Sequence, residues 1–393
     1  MQRIDVEERR RRLVCRHRLA PEKRARDPLE ATRSVVVLHS TDAVTVFLSV
    51  HARTEGVSPA EIERALYDDR SLVRVLGMRR TLFAAPRELV PVVYASCTRT
   101  IAARERRRLE GWIRDSGIST RPGPWLTRAK KRALAELEAR GDATTTELAA
   151  AVPSLGKRLR LGSGTRFETT QTVAARVLPQ LAMDGLVFRG RPRGTWTSPQ
   201  YRWVPATAWL GGPVESMDPS AAQAELLRRW LARFGPGTET DLRWWTGWTA
   251  RETRAALAAV SHADVDLDGA TGYVLGEDLE PTPALPEPSA ALLPTLDPTT
   301  MGWKERDWYL GTHAKLLFDR NGNAGPTIWW EGRVVGGWSQ RRDGEIVFEL
   351  LEDVGADAVH AVEAEAARVA DWLGDVRFSP GFLPPFQRGL AEA

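Results

Sequence analysis

Residues 35–53, VVVLHSTDAVTVFLSVHAR, open with four aliphatic side chains, step through His-Ser-Thr-Asp, and continue with apolar positions at helical spacing. The spacing of Val46, Phe47 and Val50 predicts a helix over 43–54 with one buried face, preceded by an apolar, strand-like run. Ser58-Pro59 followed by two glutamates marks a second helix over 59–67, because a Ser hydroxyl caps free amides and Pro is tolerated in a first turn. Residues 73–78 and 81–85 then read as strands around a basic turn at Arg79 and Arg80. Helix, helix and hairpin in that order are the parts of a winged helix. Ahead of them, residues 1–30 carry helical spacing at Val6, Leu13 and Leu19.

The same order of signals returns twice. Residues 125–140 are helical, GDATTTELAAAV (141–152) is a capped helix, and 167–187 reads as a long helix running into a strand. The Asp184-Gly185 turn, a strand over 186–189, the basic turn RGRPRG and a strand over 195–204 supply a second wing. Further helices are expected at 221–234, 237–247 and 250–260, then two short strands around Asp268-Gly269. Residues 277–294, rich in Pro and acid, read as a linker. Beyond it, strand-like runs at 315–318, 327–330, 333–339 and 346–351, with turns at Asn321-Gly322, Glu331-Gly332 and Asp343-Gly344, predict a small antiparallel sheet or barrel closed by a helix over 356–373. The expected fold is α+β: three tandem winged-helix domains followed by a small C-terminal β-barrel. The divisions are 1–120, with an N-terminal helical extension, then 121–212, 213–280 and 281–393.

Composition narrows the class. Hydrophobic content of 42% and charged content of 27% over 393 residues are those of a globular chain large enough for several units. No apolar run reaches membrane-spanning length, the N-terminus is charged, and two cysteines make no disulfide framework. A cytoplasmic, nucleoid-associated protein is expected. The net charge of +4 conceals an asymmetry: the first 210 residues are strongly basic and the rest acidic. A basic half suits a polyanion partner, although uneven solvation of ordinary surface gives the same count.

The basic runs that could track phosphates are Arg79-Arg80, Arg104 to Arg108, Arg128 to Arg132, and the wing arginines Arg189, Arg191 and Arg193. Any one of them alone is equally a solvated helix face. The chain is rich in tryptophan, 15 in all; Trp244, Trp245, Trp248, Trp329 and Trp330 could stack on bases, though such rings more often fill cores. The six histidines are scattered, so no metal site is predicted, and no phosphate-loop, dinucleotide or Ser–His–Asp signature calls for a cofactor.

The 35–53 and 78–86 runs, with LLPTLDPTTMGWKERDWYLG (292–311) and LFDRNGNAGPTIWWEGRVVGGW (317–338), resemble the AlkZ/YcaQ-like winged-helix DNA glycosylases. That family carries Gln-x-Gln or Gln-x-Asp where this chain has His39-Ser-Thr41, with Asp42 at the acidic position that often follows. The resemblance implies a monofunctional DNA glycosylase and base excision repair enzyme. Its substrates would be alkylated purines in duplex DNA, bulky or crosslinked adducts included, with roles that extend in some members to self-resistance. An alkylated purine is already cationic and a good leaving group, so short polar side chains suffice. His39 and Thr41 would position water or the sugar, and Asp42 would orient water or stabilise positive charge. Ser40, Thr41 or Asp42 could instead simply cap the following helix, an effect of about 0.5–2 kcal/mol. His39, titrating near neutrality, would bring a pH response that Gln lacks. Arg53, Arg79, Arg80, Arg189, Arg191, Arg193 and Arg320 are the expected DNA contacts, and the protein is expected to act as a monomer without cofactor. The rival reading is a non-catalytic winged-helix DNA-binding protein or transcription regulator; a protein-interaction scaffold is a third.

Overall fold

A computed structural model describes residues 1–162, 164–166 and 168–392. The chain begins with β1 (Gln2–Arg3) and a helix, Val6–Arg16, whose first turn is capped by Asp5. The apolar run at 35–39 contributes only a two-residue strand, β2 (Leu38–His39). The expected longer strand fails because Val36 adopts φ +65° and Val37 N donates back to Val35 O at 2.7 Å, a tight turn that strains a β-branched residue. The helix Ala43–His51 follows, then Pro59–Glu63, where Ser58 and Glu61 cap each other's backbone amides as the sequence predicts. β3 (Leu72–Leu76) and β4 (Leu82–Pro86) form a hairpin, and β2 adds to it in the antiparallel order β2-β4-β3.

Arg99–Asp115 and Pro122–Arg140 are long helices, and Thr144 with Glu147 caps Thr145–Ala151. Residues 168–173 depart from the expected helix. β5 (Arg158–Leu161) pairs antiparallel with β6 (Thr169–Thr172), and the helix starts only at Ala174, running to Met183. Three threonines in TTQT favour a pleated segment over a helix, since branching at Cβ restricts χ1 in helices; Phe167 itself lies outside the described residues. β7 (Val187–Pro192) and β8 (Tyr201–Pro205) make the next hairpin. The helices Pro219–Phe234, Glu239–Thr246 and Ala250–Ala258 lead to β9 (His262–Leu267) and β10 (Ala270–Leu275). These two turn at Asp268-Gly269, both at positive φ, and β1 joins β9 in parallel.

The linker reading stops short at β11 (Ala290–Leu293), which is fully buried. β12 (Thr327–Trp330), β13 (Arg333–Gln340) and β14 (Ile346–Leu350) complete an antiparallel meander in the order β11-β12-β13-β14. The expected barrel is corrected by that order: β14 does not return to β11, so the described strands form an open sheet, and four strands are too few to curl shut around side chains. The helix Ala356–Leu373 packs across β11 and β14. The expected strand at 315–318 is instead a helical turn, Ala314–Leu317. One hydrophobic core joins residues from Leu13 to Leu373, and a second gathers residues between Leu109 and Trp203. No helix among the described residues is long and apolar enough to cross a membrane.

Candidate functional site

β2 places His39 opposite Phe83 of β4, with the two rings edge to face at 5.4 Å. The imidazole is 8% exposed, and its Nδ1 is buried without a hydrogen-bond partner. Burial, and then the charge of Arg79, push its pKa down to about 3, while Asp297 pulls weakly the other way. The expectation of a group titrating near neutrality is therefore corrected: His39 is a neutral hydrogen-bonding side chain throughout the physiological range. Ser40 is buried, its amide donating to Leu82 O at 2.8 Å and its hydroxyl unpartnered. Thr41 is exposed. Asp42 is half-buried and fully engaged: Oδ1 accepts from Val44 N at 3.1 Å as the helix cap, and Oδ2 accepts from Gly381 N at 2.9 Å in the C-terminal tail.

The polar positions of the Ala43–His51 helix continue this theme. Thr45 donates to Thr295 O, and Ser49 donates to Asp297 Oδ2. Arg53 forks onto both oxygens of Asp297 at 2.7 and 2.8 Å, and onto Thr299 Oγ1 at 2.6 Å. Both charged side chains are wholly buried. Arg53 is thus corrected as a DNA contact, because a guanidinium enclosed in protein and neutralised by a carboxylate meets no phosphate. His17, whose Nδ1 meets Thr299 Oγ1 at 2.8 Å, extends the network to the first helix. Sequence reading missed Asp297, Thr299 and His17. Its one available signal was the recurrence of polar residues at 42, 45, 49 and 53 along a largely apolar helix.

The basic turn between β3 and β4 is the exposed part of the site. Arg79 and Arg80 both hold left-handed backbone, at φ +52° and +62°. Arg79 lies over Trp244 at 4.0 Å; Arg306 lies over the same indole at 5.0 Å and over Phe318 at 4.8 Å. Crowding of its guanidinium, and the neighbouring Arg306, push the pKa of Arg79 down to about 10. Among the described residues neither Arg79 nor Arg306 has a carboxylate in ion-pair range, so the ladder presents uncompensated charge. Arg80 pairs with Glu105 at 2.8 Å. Trp112 lies close to both Arg108 and Arg176, at 4.8 and 5.3 Å.

The hairpin of β7 and β8 is differently disposed. Its tip folds inward, and Trp196 is buried in a stack on Phe47 with ring centroids 4.4 Å apart. Arg189 is largely enclosed against Tyr201, at 4.0 Å. Arg191 is held by Glu63 and Asp68, and Arg193 by Glu147. These arginines are committed to protein partners, unlike Arg79. Arg320 is exposed in the tight loop after Phe318, where Asp319 gathers the amides of Asn321 and Asn323.

A mixed α+β scaffold whose β3–β4 turn carries Arg79, without a carboxylate partner among the described residues, beside the end of β2 defines a protein with a basic, polar-edged face. A family model for DNA glycosylase AlkZ-like proteins matches residues 32–372. The chain belongs to that family: it is a DNA glycosylase, an enzyme of DNA repair that acts on DNA. Among solved structures, the Streptomyces sahachiroi DNA glycosylase AlkZ is similar, with a TM-score of 0.73 and 21% identity over 96% of this chain and 99% of that one. That likeness concerns the fold. No curated protein sequence matches significantly.

Proposed function

We propose that the protein hydrolyses the N-glycosidic bond of alkylated purines in duplex DNA, bulky or crosslinked adducts included, and acts as a monomer. The observation that carries this reading is the junction of β2 and the Ala43–His51 helix, where an exposed Thr41 follows a neutral imidazole that lies near Arg79, a residue with no carboxylate in ion-pair range among the described residues. Loss of the base leaves an oxocarbenium-like sugar. A neutral imidazole can accept a hydrogen bond from attacking water without adding positive charge beside that cation, and Thr41 can orient the same water. Asp42, held by two backbone amides, supplies fixed negative charge, not a mobile base. The crevice it lines with Thr45, Leu48, Thr295 and Pro380 is too tight to admit a water molecule, so its charge acts on the site from a distance. We read the fold as three winged-helix units and a closing sheet, divided near residues 120, 212 and 280.

The test is incubation with duplex containing 7-methylguanine or a crosslink, followed by alkali to cut abasic sites. Strand cleavage is expected, and it should be lost in His39→Ala/Thr41→Ala. Tight binding without cleavage would favour the second reading, a non-catalytic DNA-binding protein, which one observation supports: both oxygens of Asp42 are already spent on structure.

A further inference from the structure

We propose that the cleft between the Arg99–Asp115 helix and the end of the Glu239–Thr246 helix seats a backbone phosphodiester of duplex DNA, beside the bond-breaking site and not within it. The identity of the ligand rests on the glycosylase reading; the anion-binding character rests on the cleft itself. The cleft has a volume of about 380 Å³ and is lined by Arg79, Arg104 and Arg107 together with Gly247, Trp248 and Glu252. Arg104 and Arg107 are three apart on one helix and share a face. Arg107 has no carboxylate in ion-pair range among the described residues, and Arg104 only grazes Glu105 at 4.0 Å, a carboxylate that Arg80 holds at 2.8 Å. The one acid lining the cleft, Glu252, turns Oε2 to the amide and hydroxyl of Thr249, both at 2.7 Å. The Trp248 indole N–H is likewise used, on Ser96 O.

The third arginine is rigid. Arg79 has a left-handed backbone, Trp244 covers its guanidinium, and a Cβ on Gly247 would lie 3.2 Å from its Cγ, closer than most such contacts. Two guanidinium forks on one helix face, with the Arg79 side chain at the rim and one partly satisfied carboxylate against them, match a phosphodiester better than a cation or an apolar group. Arg79 belongs to both the cleft and the ladder beside His39, so a phosphate held here would fix the register of the strand at the site.

The experiment is the salt dependence of binding to an undamaged 20-base-pair fluorescent duplex, read by anisotropy. In Arg104→Ala/Arg107→Ala, the slope of log affinity against log salt should fall in magnitude by about 1–2, since each phosphate contact contributes about 0.9. Arg104→Lys/Arg107→Lys should restore most of that slope, and matched thermal melts show that both variants fold. Arg26→Ala/Arg342→Ala, which removes the same charge elsewhere, should leave the slope nearly unchanged. An unchanged slope in the first variant, or an equal fall in the last, overturns the cleft while leaving the enzyme reading intact. A wild-type protein with no salt-dependent duplex binding overturns both. Tight binding of inorganic phosphate to the wild type, abolished in Arg104→Ala/Arg107→Ala while the duplex slope persists, would assign the cleft to a free anion instead.

Discussion

His39 shows how far one residue's surroundings reset its chemistry. A neutral imidazole that takes up no proton until about pH 3 gives an excision rate that is flat from pH 5.5 to 8.5 as far as this group is concerned. A single-turnover profile breaking near pH 6.5, and losing that break in His39→Gln, would contradict the assignment. His39→Gln should keep more activity than His39→Ala, because an amide also offers an acceptor to water without charge. The Arg53–Asp297 pair is the second residue-scale feature. Asp297→Asn removes the carboxylate paired with the wholly buried Arg53 guanidinium and should destabilise the fold by roughly 3–5 kcal/mol, measured by urea unfolding. A loss below about 1 kcal/mol, the range of exposed pairs, would mean that the pair is not buried in solution.

Elements were legible where local chemistry decides them. Ser58, Thr144 and Thr238 each cap a helix that the chain announces through a hydroxyl followed by Glu or Asp three residues on, and the Asp268-Gly269 hairpin follows from two residues that tolerate positive φ. Legibility failed at 169–172, where threonines find strand partners across a loop in Arg158–Leu161, and at 315–318, where an apolar run closes into a turn. It failed again at the β7–β8 hairpin, because nothing local to RGRPRG shows that Trp196 leaves the hairpin for Phe47 and Trp372. Trp196→Ala should therefore cost about 3–5 kcal/mol, as for other buried aromatics, and free the hairpin tip for early proteolysis. Thermal stability equal to wild type would show that the tip is undocked.

Across the molecule, the contrast between a basic first half and an acidic second half is partly spent internally. Arg3 pairs with Asp268, Arg12 and Arg16 with Asp278, Arg24 with Glu365, and Arg53 with Asp297. What remains for a polyanion includes the set around Arg79, Arg104, Arg107 and Arg306, and the exposed Arg128, Lys131 and Arg132 of the Pro122–Arg140 helix, which have no ion pair among the described residues. Acid stability is set at the same scale. Burial depresses the pKa of His17, His39 and His51, so below about pH 6.5 the unfolded chain binds protons that the folded protein refuses. Stability is full above that range and falls as pH drops toward about 3. The urea midpoint should decline from pH 7 to pH 5, and less steeply in His39→Gln; a constant midpoint would sink the argument.

The sequence by itself determined the helix caps, the hairpin turns, most of the helices, and the resemblance that names the family, because each depends on neighbours a few positions apart. Only the tertiary structure decided which arginines stay free, that His39 is uncharged, and that the closing sheet is open. Those outcomes depend on burial and on charges brought together from hundreds of residues away, which no local pattern encodes.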